Sequence, residues 1–407
     1  MRPVVFVAPF FADATLRFID AAARLEGARV GLISQDSSAK IPPGLRRHLA
    51  AHEQIHDGLD SRQIHDAVRA MAQRLGGCAR LLGTLEQLQE PLGLIREALD
   101  IPGMRRAAAH NFRDKSQMKD VFRRAGVPCA KYGLAATVAE ARAFASDCGF
   151  PLVVKPPAGA GARNTMRVNS MEELDQCLRL IPPRPSDPVM LEEFVIGSEH
   201  SFDTVSLNGR HIWHSLTHYT PGPLAVMENP WIQWTVLLPR EVDHPRYDDI
   251  RSVAVRALDS LGMGTGLTHM EWFRRPDGSL AISEVAARPP GAQFTTLISH
   301  AHGIDFYRAW ARLMIFDAFD PPPRRYAAGI AFLRGQGRGR VKAVHGLDEA
   351  QEEMSGLVAE VQLPHEGQPR ANGYEGEGFV VLRHPETAVV ERALARVVQL
   401  VQVELSE

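Results

Sequence analysis

The sequence predicts a multi-lobed protein of the α/β and α+β classes, and three observations support this. The chain has 407 residues, more than one hydrophobic core usually holds, because single cores stop growing near roughly 250 to 300 residues. Short apolar strands alternate with helices in the first quarter of the chain, as in a parallel α/β layer. The final residues combine strand patterns with the amphipathic helix ETAVVERALARVVQLV, which is typical of an α+β lobe.

The composition describes an ordinary globular chain. Apolar residues make up 45%, charged residues 23%, and the formal net charge is −2, so we expect no nucleic-acid partner. The four cysteines are scattered without a CxxC pair, which argues against a zinc cage and a disulfide framework. No window approaches the roughly 18 apolar residues that a membrane span needs. We therefore expect a cytoplasmic protein without a membrane partner.

The first region alternates VVFVA, ATLRFIDAAARLEG, RVGLIS, SRQIHDAVRAMAQRLGG and ARLLG, which predicts parallel strands joined by helices. No GxGxxG follows the first strand, so the fingerprint of a dinucleotide-binding domain is missing. We interpret this Rossmann-like region as a scaffold and substrate-side domain rather than a cofactor domain.

The second region begins with the helical pattern KSQMKDVFRRA, which the following GVP ends. Two later helices open with the capping-box pattern, Thr137 with Glu140 and Ser170 with Glu173, in which a hydroxyl and a carboxylate satisfy free amide groups. Between them, FPLVVKPPAGAGARNTMRV predicts a strand, a glycine-rich turn and a return strand. The third region holds further strands, the irregular YTPGPLAVMENPWIQW, a helix near 247–261 and a hairpin.

The hairpin THMEWFRRPDGSLAISEVAARPPG carries two carboxylates. If Asp277 and Gly278 form a two-residue loop, Glu271 and Glu284 lie equally far from it and face each other. Like charges opposite one another across a ladder are destabilising, and a divalent cation between them removes the repulsion. Oxygen ligands without nearby thiols favour Mg²⁺ or Mn²⁺. A solvated hairpin is the alternative, and a three-residue loop would break this register.

The same register places His269 opposite Ala286 and Arg288 opposite Leu267, on the face of the two carboxylates. His269 is therefore a candidate functional residue. The alternative is a core histidine whose hydrogen bonds are satisfied within the protein. Three apolar side chains are expected on this face: Phe273, Leu280 and Ile282.

Candidate phosphate-binding groups precede the hairpin in the chain. Lys155 ends the buried strand PLVVK, and the PPAGAGARN that follows contains Gly159 and Gly161, which let backbone amides approach phosphate oxygens. The segment is not a P-loop, because GxxxxGK[ST] is absent. Lys115 stands at the head of its helix, where a surface lysine is the alternative. The stretch LEEFVIGSE adds acids around an apolar linker and, alone, also fits an exposed edge strand.

Taken in order, these segments resemble the ATP-grasp superfamily. The matching motifs are DK at 114–115, VVKP with its glycine loop, LEEFVIGSE, THMEWF and EVAAR, over roughly residues 110–320. The resemblance implies an ATP-grasp fold whose lobes close on ATP and Mg²⁺ (or Mn²⁺). With the flanking regions it divides the chain into an N-terminal α/β pre-ATP-grasp domain (1–110), a central lid subdomain (111–195), a catalytic subdomain (196–322) and a C-terminal α+β lobe (323–407).

The resemblance assigns nucleotide-binding roles by motif position. The two lysines grip the α- and β-phosphates, and the glycine loop covers them. The first glutamate of LEEF helps hold the adenine amine, the next three residues offer backbone to adenine, and the last glutamate of LEEFVIGSE bonds the ribose hydroxyls. The residues concerned are Lys115, Lys155, Gly159, Gly161, Glu192, Glu193, Phe194, Val195 and Glu199.

It also assigns the metal and transfer roles. Glu271 and Glu284 hold magnesium against the β- and γ-phosphates, and Arg288 faces the transferring phosphoryl group. The implied chemistry is attack of a carboxylate on the γ-phosphate of ATP, followed by displacement of phosphate by an amine. We assign His269 to the substrate carboxylate or its developing oxyanion.

Within the superfamily, TH-x-E and E-x-A-A-R-x-P-G are similar in wording to bacterial L-amino acid ligases, which implies amino acids as carboxylate and amine substrates and leaves a homodimer open. Two other interpretations remain open. One is a ligase acting on a carbon dioxide or purine-pathway substrate, and the other is a non-catalytic ATP-binding module. Ala286 stands where most members carry Asn, and Ala162 and Asn164 replace Ser and Gly in the glycine loop.

The substrate side is less well defined by the sequence. RGQGRGR, near the start of the last lobe, offers guanidiniums for an anion or forms a solvated turn, and Tyr374 has no specific interpretation. Five aromatic side chains in and before YTPGPLAVMENPWIQW are substrate candidates, with core packing as the alternative: Trp213, His214, His218, Trp231 and Trp234.

Overall fold

The protein is described by a computed structural model covering residues 1–157, 165–229 and 231–406. Its N-terminal part consists of β1 (Arg2–Val7), α1 (Asp13–Ala23), β2 (Ala28–Ser34), α2 (Pro43–Arg46), β3 (Ala51–Gln54), α3 (Ser61–Leu75), β4 (Arg80–Leu82) and α4 (Gln89–Ala98). The strands form a parallel sheet in the order β3-β2-β1-β4. Alternate residues of β1 enter two different apolar clusters, so the strand is apolar throughout because both of its faces are covered. The Rossmann-like α/β prediction is confirmed.

The next part consists of α5 (Arg106–Arg113), α6 (Lys115–Ala125), β5 (Tyr132–Ala135), α7 (Val138–Cys148), β6 (Leu152–Lys155), β7 (Met166–Val168), α8 (Met171–Leu180) and β8 (Val189–Glu193). Its antiparallel sheet has the order β5-β8-β6-β7. Both predicted capping boxes form: the hydroxyl of Thr137 accepts from the N–H of Glu140, and that of Ser170 from the N–H of Glu173. Each glutamate side chain accepts from the residue before the cap.

The third part contains β9 (Ser198–Leu207), β10 (Arg210–Thr220), α9 (Pro223–Glu228), β11 (Trp234–Leu238), α10 (Asp248–Leu261), β12 (Gly266–Arg274), β13 (Leu280–Ala286), α11 (Phe294–His302) and α12 (Phe306–Phe316). The C-terminal part contains β14 (Ala327–Leu333), β15 (Gly335–Gln336), β16 (Val341–His345), α13 (Leu347–Met354), β17 (Val358–Gln362), β18 (Gly378–His384), α14 (Thr387–Leu400) and β19 (Gln402–Leu405). Single 3₁₀ turns lie at Ser38–Lys40, Glu86–Leu88 and Pro245–Tyr247.

One large antiparallel sheet joins the third and C-terminal parts. Its order is β13-β12-β9-β10-β11-β14-β18-β17, with β14 paired to β11 along five residues. The C-terminal strands therefore extend the sheet that carries the hairpin, and a smaller sheet, β15-β19-β16, lies beside it. The division at residues 110, 195 and 322 stays a prediction.

The helices are short. The longest α-helix in the described ranges, α3, has 15 residues. None of the helices within 1–157, 165–229 and 231–406 is both long and apolar enough to cross a membrane.

Candidate active site

The hairpin of β12 and β13 places the two predicted metal ligands opposite each other. Glu271 pairs with Glu284, and His269 pairs with Ala286, as predicted. The pairing stops at that residue pair, so Arg288 lies beyond the end of the strand.

The loop of this hairpin differs from the prediction. The N–H of Arg275 donates to the carbonyl of Ser279 at 2.9 Å, and the N–H of Gly278 donates to the carbonyl of Arg275 at 2.9 Å. Gly278 has a φ of 83°, the left-handed conformation that glycine adopts most readily. The loop therefore has three residues, 276–278, and the predicted two-residue loop was wrong.

An irregularity in β13 restores the register that the longer loop would have broken. Beyond Glu271 the pairing shifts by one, so that Trp272 pairs with Ile282. Ser283 is then the extra residue of a β-bulge, which is how a strand absorbs a change of register. The N–H of Ile282 donates to the carbonyl of Pro128 at 2.9 Å, which ties the bulged strand to the segment after α6.

The bulge changes which apolar side chains share a face with the glutamates. Leu280 and Ile282 pack into an apolar cluster with Trp272 on the other face of the hairpin, so their expected placement was wrong. Phe273 keeps its predicted face and lines the cavity together with Ala281.

A cavity of about 540 Å³ gathers the predicted site residues. It lies between the sheet of β5–β8, the hairpin and the C-terminal part. Gly159 and Gly161, with Ala162 and Asn164 of the same loop, lie outside the described residues. All the other predicted site residues line the cavity: Lys115, Lys155, Glu192, Glu193, Phe194, Val195, Glu199, His269, Glu271, Glu284 and Arg288.

The Lys115 side chain neutralises one of the paired carboxylates. Asp114 caps α6, and the N–H of Lys115 donates to the carbonyl of Pro157 at 3.0 Å, so this lysine is held where the helix meets the end of β6. Its Nζ lies 2.9 Å from Oε2 of Glu284. Burial raises the pKa of Glu284, but Lys115 and Lys155 outweigh burial and lower the pKa below its usual value. Glu284 is thus an anion at neutral pH.

A second group of ion pairs connects α6 to the sheet that contains β6 and β8. Glu192 on β8 is paired with Lys155 on the neighbouring β6 and, through Oε1, with Nζ of Lys119 at 2.7 Å. Burial raises the pKa of Glu192, and the two ammonium groups together bring it below its usual value. Sequence reasoning missed Lys119, which is fully buried. The signal was available, because Lys119 follows Lys115 by one helical turn.

The linker after β8 is held by its own hydrogen bonds. The N–H groups of Glu193 and Phe194 donate to the carbonyls of Lys131 and Pro151, at 2.9 and 3.0 Å. The Glu193 side chain is ion-paired with Arg275 at the hairpin loop. These two amides are therefore already used inside the protein, and adenine recognition by the linker would rest on its remaining backbone groups.

The carboxylate of Glu199 completes an acidic group on the cavity wall. Burial raises its pKa well above the usual value, and Glu271 and Glu284 raise it further. Three carboxylates thus share one poorly solvated space. Among the described residues no cluster of three or more His, Cys, Asp or Glu forms a complete metal cage. Two carboxylates with phosphate and water ligands are what Mg²⁺ usually takes, so this donor set fits a magnesium–phosphate complex.

His269 is held by a buried aspartate that sequence reasoning missed. Asp203 on β9 pairs directly with His269 in the ladder, is fully buried, and places Oδ1 2.6 Å from Nδ1 of the imidazole. The other ring nitrogen lies 3.7 Å from Oε1 of Glu271. Burial lowers the pKa of His269, but Asp203, with a smaller contribution from Glu271, raises it to about 9. His269 is therefore a cation and a hydrogen-bond donor at neutral pH.

Arg288 is oriented by the N-terminal part of the chain. Its Nε and Nη2 donate to Oε2 of Glu86 at 3.1 and 2.7 Å. Nη1 of Arg113 donates to the other oxygen of Glu86 at 3.1 Å. Glu86 is only 5% exposed, so two guanidiniums share one buried carboxylate. No motif in the sequence pointed to Glu86, since it lies in a 3₁₀ turn after β4, far from the hairpin in the chain.

The aromatic candidates of the third region separate into two groups. Trp234 lines the cavity, together with Tyr219, Phe294 and Tyr374. The remaining candidates have other surroundings. Trp213 packs against Phe306, and His214 stacks on Phe202. His218 contacts His200 and Tyr247, and Trp231 is 52% exposed.

The first arginine of the RGQGRGR segment holds the backbone between α9 and β11 in place. Arg334 is buried, and its Nη1 donates to the carbonyls of Val226 and Ile232 at 2.8 and 3.2 Å. The guanidinium of Arg334 therefore anchors the backbone of the segment that follows β10. Arg334 therefore has an anchoring role that the sequence did not indicate. Arg338 and Arg340 are exposed in and after a bend, which agrees with the solvated turn.

Comparison with known proteins shows similarity over the part of the chain that holds the hairpin. A family model described as the ATP-grasp domain matches residues 120–302. The "Uncharacterized protein y4rH" of Sinorhizobium fredii is 26% identical over 377 residues, covering 89% of this chain and 76% of that protein. An L-arginine-specific L-amino acid ligase of Bacillus subtilis is 23% identical over 277 residues, covering 67% of this chain and 66% of the relative, just under two thirds of its length.

Solved structures share the whole fold. The crystal structure of an L-amino acid ligase from Bacillus licheniformis superposes with a TM-score of 0.79 at 19% identity, covering 100% of this chain and 99% of that one. An N5-carboxyaminoimidazole ribonucleotide synthetase from Thermotoga maritima reaches 0.69 at 18% identity, covering 100% of both chains. At these identities the likeness establishes the fold.

Proposed function

We propose that this ATP-grasp protein is an ATP-dependent ligase that joins the carboxylate of one amino acid to the amine of another, releasing ADP and phosphate. The observation that carries the proposal is the convergence on one cavity of the facing pair Glu271 and Glu284 with the cations Lys115, Lys155 and Arg288. The sequence similarity to an L-arginine-specific L-amino acid ligase supports amino acids as substrates.

The residues of the cavity fit ATP and magnesium. Glu271 and Glu284 would hold Mg²⁺, which would neutralise the charge that develops during phosphoryl transfer. Lys115 and Lys155 would exchange their carboxylate partners for phosphate oxygens. Ala286 offers no ligand for a second ion. The glycine loop, with Gly159 and Gly161, is proposed to cover the phosphates.

The proposed reaction has two steps. A substrate carboxylate oxygen attacks the γ-phosphorus, the bond to the ADP oxygen breaks, and an acyl phosphate forms. The amine of the second substrate then attacks the acyl carbon, phosphate leaves, and the amine loses a proton as the amide forms. Positioning and charge neutralisation supply the catalysis, since no covalent enzyme intermediate is needed.

Arg288 and His269 are the proposed catalytic residues. Arg288 would face the oxygens of the transferring phosphoryl group, with its guanidinium held in place by Glu86. His269 would donate from Nε2 to the substrate carboxylate or to the oxyanion of the second step. Asp203, bonded to the opposite ring nitrogen, acts as a positioning residue.

The direct test is incubation of the protein with Mg·ATP and a pool of amino acids. We expect release of ADP and phosphate together with a product that mass spectrometry finds lighter than its two precursors by one water. Turnover that responds to bicarbonate and not to amino acids would support instead the second candidate, a synthetase like the Thermotoga maritima structural neighbour. Nucleotide binding without turnover under either condition would indicate a binding module.

The paired carboxylates provide the matched variants. We expect Glu271→Gln and Glu284→Gln each to lower kcat by a factor of about 10² to 10³, the usual loss when one electrostatic stabiliser is removed. Glu391→Gln, on the exposed face of α14, is the control and should keep full activity. Full turnover in both hairpin variants would show that the metal site is wrong.

A further inference from the structure

Four aromatic rings form a continuous wall at one end of the cavity. The ring centroids of Tyr374 and Trp234 are 5.8 Å apart, those of Trp234 and Tyr219 6.2 Å, and those of Tyr219 and Phe294 6.0 Å. The wall reaches the reaction centre, because Phe294 lies 5.2 Å from the ring of His269 in an edge-on contact. We call these four residues, Tyr219, Trp234, Phe294 and Tyr374, the aromatic wall.

Gly291 lies next to the hydroxyl group of Tyr374. Several further residues that line the cavity are small or apolar: Gly222, Pro223, Leu224, Ala225 and Ala292. The charged side chains that line the described part of the cavity are already engaged. Glu193 is paired with Arg275, His269 is assigned to the substrate carboxyl group, and the others have proposed roles with nucleotide, metal or phosphoryl group. Glu375, next to Tyr374, does not line the cavity and bonds to the Gln293 side chain and the Ala292 backbone instead. Arg288 and Glu271 lie close enough to Tyr374 to act on it electrostatically, but both have roles at the reaction centre. The wall itself therefore offers a substrate side chain apolar surface, with no charged group left over to pair with it.

Hydrogen bonds and ring stacking within the protein hold the aromatic wall in place. The indole N–H of Trp234 donates to the carbonyl of Tyr374 at 2.6 Å, and the indole stacks on Phe332 with centroids 4.8 Å apart. The buried carboxylate of Glu377 accepts from the N–H groups of Gly335 and Ala371, at 2.8 and 3.0 Å. These bonds fix the segment 371–377, which carries Tyr374 from the C-terminal part to the cavity. Preorganised walls of this kind reduce the entropy lost on binding.

We propose that the aromatic wall is the side-chain subsite of the carboxylate substrate, that it takes an uncharged apolar amino-acid side chain, and that Tyr374 determines this specificity. The proposal rests on the proposed ligase function. Phe294 contacts Tyr219 of the wall on one side and His269 on the other. An amino acid whose side chain lies against the wall would therefore have its carboxyl group beside His269. A charged side chain would lose its hydration here without gaining a partner, which separates this site from one that selects arginine.

The first experiment measures kcat/KM for single amino acids as carboxylate donors at a fixed amine. We expect leucine, methionine and phenylalanine to exceed arginine, lysine, aspartate and glutamate by about a hundredfold or more, since unpaired polar groups discriminate strongly. Preference for a charged donor would overturn the subsite while leaving the ligase function standing. Absence of product with every amino acid would reject the ligase function, and the subsite with it.

The second experiment replaces Tyr374 of the aromatic wall and Ala225, a small residue that also lines the cavity. Tyr374→Ala should raise KM for apolar donors about tenfold and leave KM for ATP unchanged, whereas Tyr374→Phe should retain the wild-type KM for those donors. Ala225→Leu should shift the preference toward smaller donors. Tyr326→Ala, an aromatic truncation away from the cavity beside Arg383, is the control for general destabilisation. An unchanged donor profile in Tyr374→Ala and Ala225→Leu would overturn the proposal.

Discussion

The buried ammonium group of Lys119 sets the charge balance at the end of the cavity where we propose that the nucleotide binds. Glu192 carries one negative charge and has two lysine partners, Lys119 and Lys155. Lys119 is fully buried, and its other hydrogen bond goes to the carbonyl of Ile282 at 3.5 Å. Lys155, in contrast, lines the cavity. Neutralisation of Glu192 by Lys119 therefore leaves Lys155 available to a phosphate.

Lys119→Met tests this division of labour. The variant keeps the apolar stem but removes the charge, so Lys155 becomes the remaining partner of Glu192. We expect KM for ATP to rise about tenfold, which corresponds to about 1.4 kcal/mol, and the free energy of unfolding to fall by about 1–3 kcal/mol for the lost charged contact. Steady-state kinetics and urea denaturation provide the two measurements.

The exposed Lys131 offers the same substitution outside the ion-pair group. Lys131→Met should match the wild type in both measurements. If Lys119→Met instead lowers stability but leaves KM for ATP unchanged, Lys119 is purely structural and Lys155 does not depend on it.

At the residue scale, sequence reasoning found side chains that belong to motifs and missed the residues that hold them. Lys115, Lys155 and Arg288 were identified, whereas Asp203 and Glu86 were not. The supporting residues act through contacts between segments distant in the chain, and a single sequence carries no signal for such contacts. Their roles with bound substrate remain predictions.

At the scale of elements, the hairpin shows how a correct register arose from a wrong loop. The three-residue loop alone would have separated the pair Glu271 and Glu284, and the bulge at Ser283 restores it. Alternation of apolar and polar residues does not reveal a bulge, because the pattern on each side of it stays regular. By contrast, both capping boxes were predictable, since their donors and acceptors lie within four residues.

Gly278→Ala tests the loop assignment. Gly278 has a φ of 83°, and a Cβ added there would contact nothing within 4 Å, so strain in the backbone is the whole effect. We expect the free energy of unfolding to fall by about 1–2 kcal/mol, with KM values unchanged because Gly278 does not line the cavity. Gly356→Ala, where the added Cβ also meets nothing and φ is not positive, should be neutral. Equal stability of the two variants would contradict the left-handed loop.

At the scale of the whole molecule, the cavity draws on every part of the chain. The N-terminal part contributes Glu86, which holds the lining residue Arg288, while the hairpin supplies its two carboxylates and the C-terminal part supplies Tyr374. The order of predicted elements indicated the lobes but not that β14 and β18 would extend the hairpin's sheet, because strand order depends on long-range pairing. The ATP-grasp fold was predictable since its motifs keep their order along the chain.

Glu86→Gln tests whether the N-terminal part orients the reaction centre. The amide keeps the size of the side chain but removes the charge that holds Arg288 and Arg113. We expect kcat to fall by about one to two orders of magnitude through misplacement of Arg288, with KM for ATP nearly unchanged. Glu90→Gln, a neighbouring half-exposed acid paired with His110 at 3.4 Å, should retain activity. Equal kcat in both variants would show that Arg288 needs no anchor.

The contact between Lys115 and Glu284 has a further consequence for what the protein can bind. Free magnesium has to compete with an ammonium group already beside Glu284. Free nucleotide has to draw Lys115 away from Glu284. That carboxylate then faces Glu199 without its ion-pair partner, and only the nearby charges of Lys155 and Arg288 offset it. Metal and polyphosphate that arrive together give Glu284 a cation and Lys115 an anion at the same time. We therefore expect the site to bind free metal and free nucleotide each more weakly than it binds the metal–nucleotide complex.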